Sequence, residues 1–257
     1  MRMKFATHIV LFGQDKWIMK NIENSYKHVD VIYISYSKKP WGYNPNARKN
    51  IINSFNLDII KESVFFDKIT LIEGDWQTEE DQRNACVSKA KKDNVDYLMI
   101  HDADEFYHDD DFELILDFIK KNPDHDVYKC AWYNFWKTLD YITIQSDGNL
   151  VAGYPEIFIN LTTGTDFSRK RRPSSNKSII IPNVFCYHAS YVLTDSEVKN
   201  KLNTWGHHND FNTDKWYNEK WLNWNEQSID LHPISPSAWK RAIKKPKDIE
   251  LPKILKQ

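Results

Sequence analysis

Val95 to Tyr107 reads VDYLMIHDADEFY, an apolar run over Tyr97, Leu98, Met99 and Ile100 that stops abruptly at Asp102, Asp104 and Glu105. The run is too short for a helix and acids follow it, so it reads as a buried strand whose end opens into a polar site. In an extended chain residues i and i+2 share a side, which lets Asp102 and Asp104 face one divalent ion or the phosphates it carries. The plainer reading is that a strand running into a surface loop finishes in Asp and Glu because these are solvated and accepted in turns. A calcium loop starting at Asp102 is rejected. It places Glu113 twelfth, but it puts Phe106 fifth and Tyr107 where the sharp turn needs Gly.

Upstream of that strand, Phe5 to Phe12 is β-branched and apolar and ends at Gly13, and Lys16 to Tyr26 follows with Trp17, Ile18, Ile22 and Tyr26 at helical spacing. Val29 to Tyr36 is the next strand, which makes a right-handed βαβ unit and predicts a parallel sheet. The loop Ser37 to Ala47 is rich in Pro, Gly and Asn, a helix is expected from Arg48 to about Lys61, and Phe66 to Glu73 forms a third strand. Thr78 then caps a helix with Asp81 completing an S/T-x-x-D/E box, and Ala85, Val87 and Ala90 give it a small packing face. In open α/β sheets ligands lie beyond the carboxyl ends of the strands, where Gly13, Ser35, Asp75 and Asp102 all fall. One cleft is expected there.

Downstream, Asp109 to Lys121 is helical with Phe112, Ile115, Leu116 and Ile119 as its buried stripe. The period then changes to strand-like over Val127–Thr143, Glu156–Leu161 and Ile179–Tyr191, with Ser196–Trp205 helical after them. Residues 162–178, TTGTDFSRKRRPSSNKS, read as an exposed loop. The fold class is therefore α/β: a mixed sheet with helices on both faces, parallel in its N-terminal half and mixed or antiparallel in its C-terminal half.

At 257 residues the chain can bury one substantial core, and one domain over 1–257 is expected. A hydrophobic fraction of 41% and a charged fraction of 28% are those of a soluble protein, and a net charge of −1 gives no global attraction to nucleic acid or membrane. Cys86, Cys130 and Cys186 are odd in number and widely spaced, against a disulfide framework and in favour of a reducing, cytoplasmic setting. The N-terminal MRMKFATHIVLFG reads as a strand, its apolar stretch broken by Thr7 and His8, and no window reaches the roughly 20 apolar residues of a membrane span. Enrichment in Lys, Asn and Ile suggests an AT-rich viral or bacterial genome, which for a virus means the host cytoplasm.

The N-terminal βαβ half, the QRNAC segment over 82–86 and the strand ending HDADEF together resemble GT-A fold glycosyltransferases, most closely the family-2-like group. The matching residues are Arg83, Asn84, Asp102, Asp104 and Glu105, and the resemblance is most specific over Phe5 to Tyr107. It implies a nucleotide-sugar half over 1–107, an acceptor half over 108–210 and a Trp- and Lys-rich extension over 211–257. It also implies Asp102 near the sugar nucleotide and Asp104 on a metal that bridges the diphosphate. Such a cation stabilises the charge that builds on the leaving nucleoside diphosphate. Carboxylates suit Mn²⁺ or Mg²⁺, and His188, in FCYHASY ahead of a helix carrying Lys199 and Lys201, is the candidate third ligand that would favour Mn²⁺. A strand histidine bonded to backbone is the plainer alternative.

The acidic pair that reads the base in family-2 enzymes is absent, the segment being IYISYS. Phe12, Gly13 and Gln14 at the first strand end, with Asp75 and Trp76 at the third, are the alternative contacts for a donor, most simply a UDP-sugar. Arg83 would neutralise phosphate or else make an ordinary helix salt bridge. Glu156, in GYPEIF, is the first candidate for the base that deprotonates an acceptor hydroxyl, with Asp140 second. Inverting and retaining chemistry both stay open. Trp132, Tyr133, Trp136 and Tyr154 offer a stacking platform for acceptor sugar, or core.

Arg169, Lys170, Arg171 and Arg172 are either a solvated loop or a contact to acceptor phosphates, on a lipid-linked sugar or on DNA with hydroxylated bases. Lys240, Arg241, Lys244, Lys245 and Lys247 would extend that field. The leading expectation is metal-dependent sugar transfer to a hydroxyl of a glycan, lipid-linked sugar or modified DNA. The alternatives are a metal-dependent nucleotidyltransferase, for which no phosphate-binding Gly loop is found, and a non-catalytic carbohydrate-binding protein.

Overall fold

The computed structural model describes residues 2–13 and 16–256. In chain order the first half comprises β1 (Phe5–Leu11), α1 (Ile18–Tyr26), β2 (Val31–Tyr36), α2 (Pro45–Asn50), α3 (Asp58–Lys61), β3 (Ile69–Glu73), α4 (Glu79–Lys92) and β4 (Tyr97–Ile100). The second half comprises β5 (Glu105–Phe106), α5 (Asp109–Lys121), β6 (Val127–Trp136), β7 (Thr138–Ile144), β8 (Glu156–Asn160), β9 (Phe167–Arg169), β10 (Arg172–Pro173), β11 (Ser178–Tyr191), α6 (Asp195–Thr204), α7 (Thr213–Trp216) and β12 (Arg241–Lys244).

The main sheet runs β12-β7-β6-β8-β4-β1-β2-β3, with β11 beside β6 and β5 on β11. β4, β1, β2 and β3 are parallel, as the repeated βα units require. From β8 outward β4–β8, β8–β6, β6–β7 and β7–β12 pair antiparallel, while β11 runs parallel to β6. This mixed sheet has the GT-A arrangement.

Alternation along the strands assigns the helices to faces. Phe5, Tyr97 and Met99 pack with Phe112, Ile115 and Ile119 of α5, and Ile9, Ile32 and Ile34 pack with Ile18 and Ile22 of α1. The residues between them, Ala6, Tyr33, Leu98 and Ile100, meet Cys86, Val87 and Ala90 of α4 on the opposite face. Near the C-terminus Trp136, Tyr191, Trp216, Trp221 and Trp239 are buried against Val198 and Leu202 of α6, and β12 adds an edge strand to β7. Cys86, Cys130 and Cys186 are buried free thiols. No helix among the described residues is long and apolar enough to cross a membrane.

Three expectations change. The helix predicted over Arg48–Lys61 is two short pieces, because Asn53 and Asn56 side chains accept from the backbone N–H of Phe55 and Asp58 and so stop the helix between them. Val127–Thr143 is two strands rather than one, folded at Lys137, whose φ of 63° makes the turn. Residues 162–178 are not simply an exposed loop: they contain the β9–β10 hairpin, whose Phe167 is buried in the α4 face of the core.

Candidate functional site

The chain leaves β4 at Ile100 and turns at once, Glu105 N–H donating to the Asp102 carbonyl at 3.0 Å. The buried Asn21 of α1 donates to the carbonyls of Asp102 and Glu105 at 3.0 and 2.9 Å and fixes that turn. Because the chain turns instead of staying extended, Asp102 and Asp104 meet different partners.

Asp102 faces two guanidiniums, receiving Arg83 Nη2 on Oδ1 at 2.7 Å and Arg171 Nη1 on Oδ2 at 2.6 Å. Burial alone would raise its carboxyl, but Arg171 and Arg83 outweigh that and hold it far below the usual carboxylate range. Glu105 is wholly buried and paired to Arg171 through both oxygens. Burial raises its carboxyl against the pull of that guanidinium.

Asp104 has looser company. Its Oδ1 lies 3.5 Å from His188 Nε2 and its Oδ2 3.5 Å from Lys201 Nζ, both longer than a good charge-assisted hydrogen bond. Burial raises this carboxyl too, yet Lys201 and His188 prevail and hold it well below its ordinary value. The β5–β11 pairing sets His188 opposite Glu105, and Ala189 N–H donates to the Asp104 carbonyl at 2.7 Å. His188 Nδ1 lies 2.7 Å from the amide oxygen Asn134 Oδ1, and this contact orients the ring with Nε2 toward Asp104. The Trp132 ring stacks on the imidazole at 4.5 Å and 13°, fixing its plane.

These groups lie in a cavity of about 280 Å³ at the carboxyl ends of β1 and β4. Phe12, Trp41, Trp132, His188, Lys170 and Lys201 are among its lining residues. Arg83 is 1% exposed, bridges Glu79 and Asp102, and keeps Nη1 without a protein partner; Trp132 Nε1 is likewise unpartnered. Both donor atoms are themselves buried, out of contact with the open space of the cavity. His8 lies behind this centre, hydrogen-bonded to Ser35 at 2.8 Å, and burial with Arg83 nearby pushes its imidazole down to about 3.

The model for glycosyl transferase family 2 matches residues 22–191, more than half of the chain and all of this centre's acids. The chain belongs to that family. Glycosyl transfer with a nucleotide sugar is its chemistry. Among solved structures, residues 1–349 of S. aureus TarS align at a TM-score of 0.47 and 10% identity, over 86% of this chain and 71% of that one. The same residues of TarS in complex with UDP give 0.48. The mannosyltransferase PcManGT from Pyrobaculum calidifontis, in complex with GDP-Man and Mn²⁺, aligns at 0.48 and 12% identity, over 79% of this chain and 62% of that one. These superpositions are loose, and membership rests on the sequence match. A search of curated proteins finds no match.

For a family-2 metal site the donor set fits in part. Asp104 Oδ1 and His188 Nε2, 3.5 Å apart, are the two atoms that could hold one divalent ion between them. Asp102 has both oxygens occupied by guanidiniums. No group of three or more His, Cys, Asp or Glu among the described residues is arranged to hold an ion.

Of the other expected site residues, Phe12 and Arg83 line the cavity and Gly13 does not. Gln14 lies outside the described residues. Asp75 is exposed and paired with Arg48, and Trp76 folds back over Gly74, so neither reaches the cavity. Asn84 exchanges two 2.8 Å hydrogen bonds with the Phe167 backbone and anchors the β9–β10 hairpin. Glu156 pairs with Lys129 at 3.3 Å, Asp140 is exposed on β7, and neither lines the cavity.

Of the aromatic candidates only Trp132 lines the cavity: Trp136 is core, Tyr133 stacks on Phe185, and Tyr154 is exposed. Within the basic run Lys170 and Arg171 turn inward while Arg169 and Arg172 stay exposed, and none of the cluster Lys240 to Lys247 lines the cavity. Lys201 was the least visible of the charged residues lining the cavity. Its signal is helical spacing, three residues after buried Val198 and next to buried Leu202, which turns a lysine to the packed side of α6.

Proposed function

We propose that this chain transfers a sugar from a UDP-sugar to a hydroxyl of a glycan or lipid-linked sugar, with Mn²⁺ or Mg²⁺ held by Asp104 and His188. The observation that carries this reading is the facing pair Asp104 Oδ1 and His188 Nε2, the latter oriented by Asn134, in a cavity otherwise rich in cations. Bound there, the ion would supply Lewis-acid stabilisation of the leaving diphosphate.

The protein's own groups divide the rest of the work. Lys201, fixed by donating to Ser190 Oγ at 2.6 Å and to the Ser190 carbonyl at 2.9 Å, presents a fixed positive charge beside Asp104. Trp41 with Phe12 gives flat apolar surface for the base. Trp132 supplies an aromatic face for a sugar ring. Two of the four residues in the Arg169–Arg172 run are spent inside the protein, which favours a sugar acceptor over DNA. The buried free thiols support a cytoplasmic setting.

The test is thermal melting with a panel of nucleoside-diphosphate sugars, with and without Mn²⁺, for the native chain and Asp104→Ala. Saturation at about 100 times Kd stabilises a fold by about 2.7 kcal/mol. A metal-dependent shift with a UDP-sugar that disappears in Asp104→Ala is expected, accompanied by slow hydrolysis of that donor. Equal shifts in both proteins, or none with any donor, would refute the assignment.

A further inference from the structure

The turn between β9 and β10 delivers Arg171 to the back of the acid centre. Besides Asp102 and both oxygens of Glu105, its guanidinium reaches the carbonyls of Ile100 at 3.4 Å and Glu156 at 3.2 Å. The hairpin is pinned just ahead of that residue. Asn84 holds Phe167 by two backbone hydrogen bonds, and Glu80 accepts the Lys170 backbone N–H at 2.9 Å. Withdrawing Arg171 would strand Glu105, a wholly buried carboxylate, and breaking a buried ion pair from one side is strongly unfavourable. Arg171 is therefore built to stay.

We propose that Arg171 is a resident counter-ion that keeps Asp102 and Glu105 out of a metal's coordination sphere and confines a divalent ion to Asp104 and His188. This rests on the reading above that those two residues hold the ion. Arg171 acts through Asp102 and Glu105 and is a positioning residue. The two aspartates of the motif then differ in kind: Asp102 orients Arg83, and Asp104 ligates. A consequence is that Asp102 becomes available as a third ligand when the Arg171 charge is removed, and removing the Glu105 charge with it leaves no buried carboxylate stranded.

The experiment measures Mn²⁺ binding to the full chain without nucleotide, from the free-ion electron paramagnetic resonance signal. The proteins are native, Asp104→Asn, Asp102→Asn, and the charge-neutral pair Glu105→Gln with Arg171→Met, alone and combined with Asp102→Asn. Asp104→Asn is expected to weaken Mn²⁺ by more than about 100-fold, and Asp102→Asn by less than about tenfold. The neutral pair should bind Mn²⁺ at least about tenfold more tightly than native, and adding Asp102→Asn should cancel the gain. Asp102→Asn as damaging as Asp104→Asn, or a neutral pair that binds like native, would overturn the proposal.

Trypsin cleavage of the native chain within residues 169–172 gives a readout that needs no variant to fold. A rate unchanged by saturating Mn²⁺ is expected, and acceleration by Mn²⁺ would show Arg171 leaving and overturn it. Because no donor is present, these results stand apart from sugar transfer: a chain that binds Mn²⁺ as described yet hydrolyses no nucleotide sugar would contradict the functional reading alone.

Discussion

Replacing Lys201 by methionine should move metal binding and nucleotide binding in opposite directions. The ammonium lies 3.5 Å from Asp104 Oδ2 with its side chain 11% exposed, so its charge is poorly screened. At an effective dielectric of about 20 the Coulomb attraction is about 5 kcal/mol, of which desolvation and relaxation take back the larger share. Even about 1.4 kcal/mol remaining is tenfold in an equilibrium constant. Without the ammonium, Asp104 is less neutralised and attracts a divalent ion more strongly. The diphosphate, however, loses a fixed cation. Isothermal titration should show Mn²⁺ alone binding at least about tenfold tighter to Lys201→Met, and UDP in saturating Mn²⁺ binding at least about tenfold weaker. Methionine keeps most of the apolar stem, and Val198 and Leu202 still anchor α6, so folding should survive. If both affinities fall together, Lys201 supports the fold of the site and contributes no separate charge to the ligand.

Two further outcomes follow from burial. His8 is neutral in the folded protein, with its imidazole near 3, against an ordinary value of about 6.5 in the unfolded chain. The unfolded state therefore gains the proton first as pH falls below about 6.5, and stability is lost progressively until the folded-state value near 3 is reached. Urea denaturation from pH 6.5 to 5 should show that loss, and His8→Gln should make the slope shallower by up to about 1.4 kcal/mol per pH unit; parallel slopes would contradict a neutral buried His8. Glu156→Gln should leave sugar transfer within a few fold, since that carboxylate pairs with Lys129 outside the cavity. A loss of roughly 100-fold or more in kcat would restore Glu156 as the base.

The parallel half of the fold was legible because its signals are local. A four-residue apolar strand that ends in acids, a Thr78 cap that does accept the Asp81 N–H at 3.2 Å, and helices carrying one apolar stripe need no tertiary information. What sequence reasoning missed depends on long-range pairing. Arg171 sits amid four consecutive basic residues, and only the anchoring of Phe167 to Asn84, 83 positions away, separates an inward guanidinium from solvated neighbours. Asp75 and Trp76 were expected at the cleft because they follow a strand end. The neighbouring Arg48 instead captures the Asp75 carboxylate, and the Trp76 ring covers the face where a side chain on Gly74 would stand. Glu156 stands outside the cavity for a similar reason: its β8 strand lies between β4 and β6, and Lys129 across the β6 pairing takes up its charge.

The acidic motif shows most clearly why spacing alone misassigns roles. Equal spacing puts Asp102 and Asp104 on one side only while the backbone is extended, and the Asp102–Glu105 turn ends that condition just past β4. One carboxylate then falls between two guanidiniums, and the other between an imidazole and an ammonium. Both are held ionised, but by contacts of different quality: 2.6–2.7 Å for Asp102 and 3.5 Å for Asp104. Short bonds to fixed guanidiniums make Asp102 part of the scaffold. Asp104, held only by longer contacts, is the less satisfied of the two acids, which is the ground for proposing it as the ligand. The chemistry of the site thus follows from which acid the fold leaves incompletely satisfied.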